Sequence, residues 1–182
     1  MQVFADGVSR VRVLAALAAA ALAHTGCGYH FVGGRDVFGP DVHSIELFAF
    51  ENETREPGLE QLIAQALNEE FARRGWLEPK LEGQISSPDL VMRGVIHTVT
   101  VHSSSYSSSA LALEEAVDVV LDVNVRRAQS TEVVWQHPHF RVHEVFRASA
   151  DPQVYASNKE QALRRVSSEI AQRVHDELFQ RF

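Results

Sequence analysis

The chain has 182 residues, of which 45% are hydrophobic and 23% are charged, and this composition is typical of a single globular domain. The formal net charge is -7, which argues against a nucleic-acid-binding protein because such proteins normally carry an excess of basic residues. Only one cysteine is present, so an intramolecular disulfide bond is excluded.

The first recognisable element is an apolar segment near the N-terminus. Arg10 and Arg12 form a short positive region, and all 11 residues of Val13–Ala23 are apolar. A helix of this length rises by 1.5 Å per residue and is too short to cross a hydrocarbon layer about 30 Å thick. Its length suits the hydrophobic region of a signal peptide, so residues 1–26 are predicted to be an export signal.

The single cysteine follows this segment directly. The sequence His24-Thr25-Gly26-Cys27 resembles the lipobox of bacterial lipoproteins, with His24 at the position where leucine is usual. The resemblance implies cleavage before Cys27 and acylation of its sulfur and of its new amine. At about 0.8 kcal/mol per buried CH₂ group, two or three acyl chains would anchor the protein stably in a membrane. The alternative is an ordinary secretory signal followed by a free thiol.

The predicted mature chain starts with a tether and continues as one domain. Residues 27–43 are rich in glycine and aromatic side chains, which predicts an extended lipid-anchored segment. The single domain is placed at residues 44–182. Its first strand is indicated by Ile45, Leu47 and Ala49, which alternate with the intervening side chains.

A helix is predicted over residues 58–74, because apolar residues recur there at helical spacing. Gly75 is expected to end this helix, since glycine readily adopts the left-handed conformation found after a helix C-terminus. Residues 76–88 show no clear periodicity and are predicted to form an irregular connection.

Three strands are predicted next, at about residues 89–101, 115–126 and 132–147. In the middle strand, valine and leucine alternate with polar and charged residues, which predicts one buried side and one side that faces solvent. The serine-rich stretch Ser103–Ser109 lies between two of these strands and is expected to be a flexible loop.

The last predicted element is a helix over residues 159–180, with Asn158 and Gln161 placed like a capping box. The short connections between the three central strands predict antiparallel neighbours. The expected fold is an α/β two-layer sandwich, a four-stranded, largely antiparallel sheet with two helices on one face in the order βαβββα. The other face of the sheet would be open, and it is the expected place for a ligand or partner.

Five segments of the chain, taken in order, resemble the LptE family of lipopolysaccharide-assembly lipoproteins. They are similar to the family's mature N-terminus, its first strand with an F-x-N-x-T turn, and the starts of its first helix, second strand and final helix. In this chain the segments are residues 27–31 (CGYHF), 45–54 (IELFAFENET), 56–60 (EPGLE), 88–94 (PDLVMRG) and 158–163 (NKEQAL).

The resemblance implies a lipid-anchored protein on the periplasmic side of the outer membrane of Gram-negative bacteria. It implies LptD, a large β-barrel, and lipopolysaccharide as partners: the protein would plug the barrel, help to assemble it, and assist lipopolysaccharide insertion into the outer leaflet. Gly28 also differs from the aspartate that commonly retains lipoproteins at the inner membrane in enterobacteria. The alternative is another binding lipoprotein, either an auxiliary protein of an ABC transporter or a secretin pilot.

A stripe of basic side chains is predicted on the fourth strand. Alternate residues of a strand share one face, so four side chains would line up: His137, His139, Arg141 and His143. Pro138 indicates a bulge or an edge position, which would disturb this simple alternation.

Arg126 and Arg127, at the end of the adjoining strand, would extend the stripe. Because neutral histidine carries little charge near pH 7, the stripe would depend mainly on its arginines. Three interpretations remain open at this point: a solvated strand face, contact with an anionic lipid or the barrel, and a metal site built from two imidazoles. The prediction adopted is lipid or barrel contact, with no metal and no cofactor.

No motif in the sequence predicts an enzyme. There is no spare cysteine, no G-x-S-x-G motif and no P-loop. The run Ser103–Ser109 beside His102 superficially offers a nucleophile and a base, but a flexible run is poorly suited to hold a hydroxyl within hydrogen-bond reach of that base.

Overall fold

A computed structural model describes residues 37–84, 87–106 and 112–180 of the chain. The predicted export signal, the lipid-attachment residue Cys27 and most of the predicted tether lie outside the described residues. Within the described ranges the chain forms six strands and two helices. In chain order these are β1 (Ser44–Leu47), β2 (Glu51–Asn52), α1 (Leu59–Arg74), β3 (Glu78–Leu81), β4 (Leu90–Tyr106), β5 (Ala112–Arg127), β6 (Val133–Arg147) and α2 (Pro152–Phe179).

All six strands belong to one mixed sheet in the order β3-β1-β4-β5-β6, with β2 paired to β4 beside β1. The pairs β4–β5 and β5–β6 are antiparallel, whereas β1 is parallel to β3 and β4, and β2 is parallel to β4. Helices α1 and α2 pack against each other and against one face of this sheet. The α/β sandwich with two helices is therefore confirmed, but the predicted four-stranded, largely antiparallel sheet and the order βαβββα are wrong.

Strand β3 lies in the segment that was expected to be irregular. It pairs only with β1 and carries Pro79, which cannot donate a backbone hydrogen bond and is tolerated where one side of a strand is unpaired. Four residues without alternation gave no strand signal, so this edge of the sheet was missed.

Strand β4 continues into the serine-rich stretch that was predicted to be a loop. Ser103 pairs with Glu115 and Ser105 with Glu114, and the strand ends at Tyr106. The cross-strand partner, rather than the composition of the segment, decides its conformation here. Residues 107–111 lie outside the described part of the chain.

Helix α1 agrees closely with its prediction. Gly75 has a left-handed backbone with φ of 68°, and its N–H donates to the Phe71 carbonyl oxygen over 3.0 Å. Helix α2 instead begins seven residues earlier than predicted, at Pro152. The Asp151 side chain accepts hydrogen bonds from the Gln153 and Val154 amides and caps the helix.

The predicted capping box is therefore wrong. Asn158 lies inside α2, and its side chain donates to the Arg147 carbonyl oxygen over 2.9 Å. This contact ties the helix to the end of β6.

The hydrophobic core lies between the sheet and the two helices. The alternating residues of β5 that point toward the helices, such as Val119, Leu121 and Val125, are fully buried. Gly94 on β4 makes room for Phe50, since an added Cβ would lie 2.4 Å from the Phe50 ring. A larger residue at position 94 would displace a buried aromatic side chain.

Core contacts begin before the first strand. Phe38 and Val42 are buried, and the Phe38 ring meets the Phe179 ring edge-on at 5.7 Å. The domain boundary between residues 43 and 44 stays a prediction, with these two side chains packed on its N-terminal side. In the described part of the chain, neither helix is long and apolar enough to cross a membrane.

Candidate functional site

None of the described helices or strands covers the sheet face opposite the helices over β4, β5 and β6, and we call this surface the open face. Cross-strand register and alternating burial identify the side chains on it. Its basic and acidic side chains are Arg93, His97 and His102 from β4, Glu114, Asp118, Asp122 and Arg126 from β5, and His139, Arg141, His143 and Arg147 from β6.

Four of the six predicted contact residues lie on the open face: Arg126, His139, Arg141 and His143. His137 does not, so the prediction that all three histidines of β6 share a face with Arg141 is wrong. The register of β5 and β6 shifts between Leu121 and Val123, and His139 has a positive φ of 53°. This bulge around Pro138 sends His137 toward the helices, as the proline in the sequence indicated.

His137 and Arg127 hold the helix side of the sheet together instead. His137 Nδ1 lies 2.6 Å from Glu177 Oε2 on α2. Arg127 donates from Nη2 to the Phe38 carbonyl oxygen over 2.9 Å. These contacts fix α2 and the N-terminal segment, so we assign both residues a structural role.

The arginines of the open face differ in their contacts. Arg93 stacks over the Phe48 ring, with its guanidinium carbon 3.5 Å from the ring centroid. Within the described ranges, the side chains of Arg126 and Arg141 make no hydrogen bond or ion pair. Both guanidinium groups therefore keep their full set of donors for an external anion.

Asp122 lies between two histidines in the middle of the open face. Its Oδ2 is 3.1 Å from His97 Nε2, and its Oδ1 accepts the His139 backbone N–H over 2.7 Å. These hydrogen bonds hold the pKa of Asp122 below its ordinary value. The bonds to Glu53 and Asp122 in turn raise the pKa of His97.

Asp118 lies between a second pair of histidines, nearer the Tyr106 end of β4. His102 Nδ1 is 3.2 Å from Asp118 Oδ2, and His143 Nδ1 is 3.2 Å from Asp118 Oδ1. The two imidazole rings are 6.2 Å apart, one on each side of the carboxylate. Both pairs thus place an aspartate on β5 and a histidine on each flanking strand.

Sequence reasoning missed Arg93, His97 and His102 as members of this surface. His97 and His102 are five residues apart, and a regular strand would direct them to opposite faces. A register shift between Ile96 and Thr98 brings both onto the open face. The signal that could have found them is the recurrence of histidine on two strands that flank one acidic strand.

In the described residues, no group of three or more histidine, cysteine, aspartate and glutamate side chains is arranged to hold a metal ion. A cleft of about 780 Å³ lies elsewhere, beside β3, and is lined by Val42, Trp76, Lys80 and their neighbours. None of the predicted contact residues borders this cleft.

The F-x-N-x-T turn owes its shape to Asn52. Its amide donates to the Glu56 carbonyl oxygen over 2.9 Å and to Glu60 Oε2 over 2.7 Å. Its carbonyl oxygen accepts the Thr54 backbone N–H over 3.0 Å and the Thr54 hydroxyl over 2.7 Å. The turn therefore joins β2 to the first turn of α1 through one side chain.

Asp89 has a similar role before β4. It accepts hydrogen bonds from the backbone amides of His43 and Ser44 and from the Ser44 hydroxyl. Partial burial raises the pKa of Asp89, but these bonds outweigh burial and hold the pKa below its ordinary value. Both motif residues support the scaffold beneath the open face and do not belong to it.

Comparison with known proteins agrees with this scaffold. A predicted lipoprotein from Caulobacter crescentus CB15 shares the fold, with a TM-score of 0.52 and 13% identity over 72% of this chain and 88% of that one. Rare lipoprotein B from Shewanella oneidensis aligns with a TM-score of 0.48 and 9% identity over 72% of this chain and 92% of its own. No curated protein matches the chain in sequence.

A family model described as LptE, lipopolysaccharide-assembly, matches residues 42–178. The match runs from just before β1 almost to the end of α2, so it includes every strand of the sheet and both motif residues, Asn52 and Asp89. The chain therefore belongs to the LptE family of lipopolysaccharide-assembly proteins.

Proposed function

We propose that the protein is a non-enzymatic component of the outer-membrane lipopolysaccharide translocon. In this role it fills the lumen of the LptD barrel, helps to assemble that barrel, and assists lipopolysaccharide insertion into the outer leaflet. Membership in the LptE family supports a role in lipopolysaccharide assembly. A sandwich with helices on one face and an uncovered sheet on the other supports a protein that packs with one side and receives a ligand on the other.

The observation that carries the ligand assignment is a pair of guanidinium groups on the open face that make no hydrogen bond or ion pair within the described residues. Arg126 and Arg141 lie on neighbouring strands and have no anionic partner within the described residues. Guanidinium binds phosphate through two parallel hydrogen bonds, and lipopolysaccharide carries phosphate groups on its lipid headgroup. We therefore assign the open face to contact with these phosphates.

Attachment to the membrane is proposed to occur through acyl chains on Cys27. Mass spectrometry of the protein purified from membranes would show a mature chain that starts at Cys27 and carries the mass of two or three acyl chains. A chain with an unmodified thiol at this position would remove the anchor from the proposal and leave the domain's function unaffected.

Partner identity is tested by extraction of a tagged full-length protein in mild detergent. We expect one large β-barrel to co-purify at close to equal stoichiometry. Recovery of an inner-membrane ATPase or of a secretin ring instead would support the ABC-transporter or secretin-pilot alternative.

Ligand contact is tested by the affinity of the purified protein for lipopolysaccharide. Arg141→Glu removes charge-assisted hydrogen bonds and adds a repulsive charge, so we expect a loss of about a hundredfold. Arg164→Glu is the matched control, because Arg164 is 58% exposed and lies on α2 rather than on the open face. Equal affinities of the two variants would contradict the assignment of the open face.

A further inference from the structure

The open face repeats one arrangement of ionisable groups twice. Asp122 on β5 has His97 on one side and His139 on the other, and their ring centroids are 6.4 Å apart. Four residues earlier on β5, Asp118 has His102 and His143 on its two sides. Within the described residues, the two aspartates therefore contact four histidines. These histidines are not buried in the core, and they make no contact that holds α2.

The charge of the open face depends on these histidines. When they are neutral, the three guanidinium groups of the face stand against four carboxylates, two from β5, one that bonds His97 and one on β2 opposite Val95. The positive groups are Arg93, Arg126 and Arg141, and the negative groups are Glu51, Glu53, Asp118 and Asp122. Glu114 and Arg147, which are cross-strand neighbours at the far end, add no net charge.

Protonation of the four histidines would add four positive charges and change this balance from one negative charge to three positive charges. Histidine is the side chain that ordinarily titrates between pH 5 and 8, and an adjacent carboxylate favours its charged form. The imidazole of His97 donates to the carboxylates of Glu53 and Asp122, and these hydrogen bonds raise the pKa of His97. Arg141, which lies between His139 and His143 on β6, would then have a positively charged histidine on each side along its own strand.

We propose that His97, His102, His139 and His143 form a proton-controlled phosphate-binding surface, which binds the lipopolysaccharide headgroup more tightly when they are protonated. The proposal rests on the proposed function, because it regulates the same open face. It adds two pairs of residues to that face and a dependence on pH that the unpaired arginines alone would not produce, since guanidinium stays charged throughout this range.

The test measures lipopolysaccharide affinity of the full chain in detergent at about pH 7.5 and at about pH 5.5, the interval in which histidine titrates. EDTA is present throughout, so that divalent cations do not bridge phosphate to the protein. The variants are His97→Gln/His139→Gln, His102→Gln/His143→Gln and the fourfold combination. His137→Gln is the matched control, because that histidine lies on the helix side of β6.

Lipid phosphates lose part of their own charge over the same interval. The quantity to compare is therefore the affinity at about pH 5.5 divided by the affinity at about pH 7.5, measured for each variant. We expect this ratio to be about tenfold higher for the wild type and for His137→Gln than for the fourfold variant, as four added charges near an anionic lipid surface would produce. Each double variant should lose part of the ratio, which keeps the test valid if the fourfold variant folds poorly.

Two further readings separate this proposal from the proposed function. Lipopolysaccharide from which phosphatase has removed phosphate groups should bind wild type and fourfold variant with the same small ratio of affinities at the two pH values, because the proposed ligand group is absent. Equal ratios of wild type and fourfold variant on intact lipopolysaccharide would overturn the proton-controlled surface, and the loss of affinity in Arg141→Glu at about pH 7.5 would still support the proposed function. Absence of binding to the wild type at both pH values would overturn both.

Discussion

The open face and the helix side of the sheet use the same side chain, histidine, in opposite ways. His102 and His143 on the open face are each 51% exposed and share the carboxylate of Asp118. His175 on α2 is 1% exposed, and neither of its ring nitrogens has a hydrogen-bond partner within the described residues. The open-face histidines are thus exposed and placed beside a carboxylate, whereas His175 is buried among aromatic rings.

The environment of His175 explains this difference. Its ring lies against the rings of Phe71, Trp76 and Phe179, with centroid distances between 4.6 and 5.3 Å. Burial, assisted by the nearby charge of Arg74, lowers the pKa of His175 to about 4. A histidine in this position acts as an aromatic core residue that stays neutral.

The sharpest way to test the contrast between the two sides uses adjacent residues of β5. Leu121 is fully buried against the helices, whereas Val120 points to the open face and is partly exposed. Leu121→Ala is expected to lower the free energy of unfolding by about 2–5 kcal/mol, because it leaves a cavity in the core. Val120→Ala is expected to lower it by less than about 1 kcal/mol. Denaturant unfolding checks both, and similar losses would show that the open face is covered in the free protein.

A smaller effect is expected from the titration of His175. The folded pKa lies below the unfolded value, so the unfolded chain binds the proton first and stability is lost as pH falls from 6.5 toward about 4. The loss attributable to this residue is at most about 3 kcal/mol. His175→Leu should be less sensitive to acid than the wild type by this amount in urea unfolding across the interval. The same pH dependence in both proteins would contradict the neutral, buried state.

Substitution of Asn52 is expected to have the next largest effect on the free energy of unfolding. Asn52→Ala removes four hydrogen bonds of the turn before α1 and is expected to lower the free energy of unfolding by about 1–2 kcal/mol. It should also raise the pKa of Glu60, which the Asn52 amide helps to lower. Gln65→Ala, which breaks one exposed contact with Glu69, is the control and should change stability by less than about 0.5 kcal/mol. A loss no larger than the control's would remove the structural explanation of the F-x-N-x-T turn.

The smallest effect on stability belongs to the residues proposed to bind the ligand. Arg126→Ala and Arg141→Ala are each expected to change the free energy of unfolding by less than about 0.5 kcal/mol, because neither side chain has a hydrogen-bond or ion-pair partner among the residues that the structure describes. Thermal unfolding compared with lipopolysaccharide affinity separates the two roles. A large loss of stability would mean that these arginines support the fold.

Several features of the fold could be predicted from local patterns. The alternation along β5 gave the buried and solvent-facing sides correctly, and the helical stripe followed by Gly75 gave α1. The family resemblance rested on residues such as Asn52 and Asp89, which the structure shows to fix turns. These features depend on residues close together in sequence, so the sequence alone is sufficient to find them.

The features that were missed depend on contacts with distant segments. Strand β3 exists because β1 lies beside it, and Ser103 is in a strand because Glu115 lies opposite. The start of α2 is the exception, because Asp151-Pro152 is a local signal, an N-cap residue followed by proline, whereas the predicted capping box was placed at Asn158.

The side chains of the open face could be predicted only in part, because their positions also depend on how distant segments pair. Two bulges, near His97 and near Pro138, decide which histidines reach the face, and bulges change the side of every residue that follows them. Pro138 indicates one of these bulges in the sequence. The other has no proline or glycine to mark it and appears only when β4 and β5 are paired.

The most direct test of the central claim is site-specific photo-crosslinking in cells that make lipopolysaccharide. The crosslinking residue is placed at Thr100, exposed on the open face, and in a second protein at Gln172, exposed on α2. The account predicts crosslinks to lipopolysaccharide from Thr100 and none from Gln172. Crosslinks to lipopolysaccharide from Gln172 with none from Thr100 would place the lipid on the helix side and contradict the account.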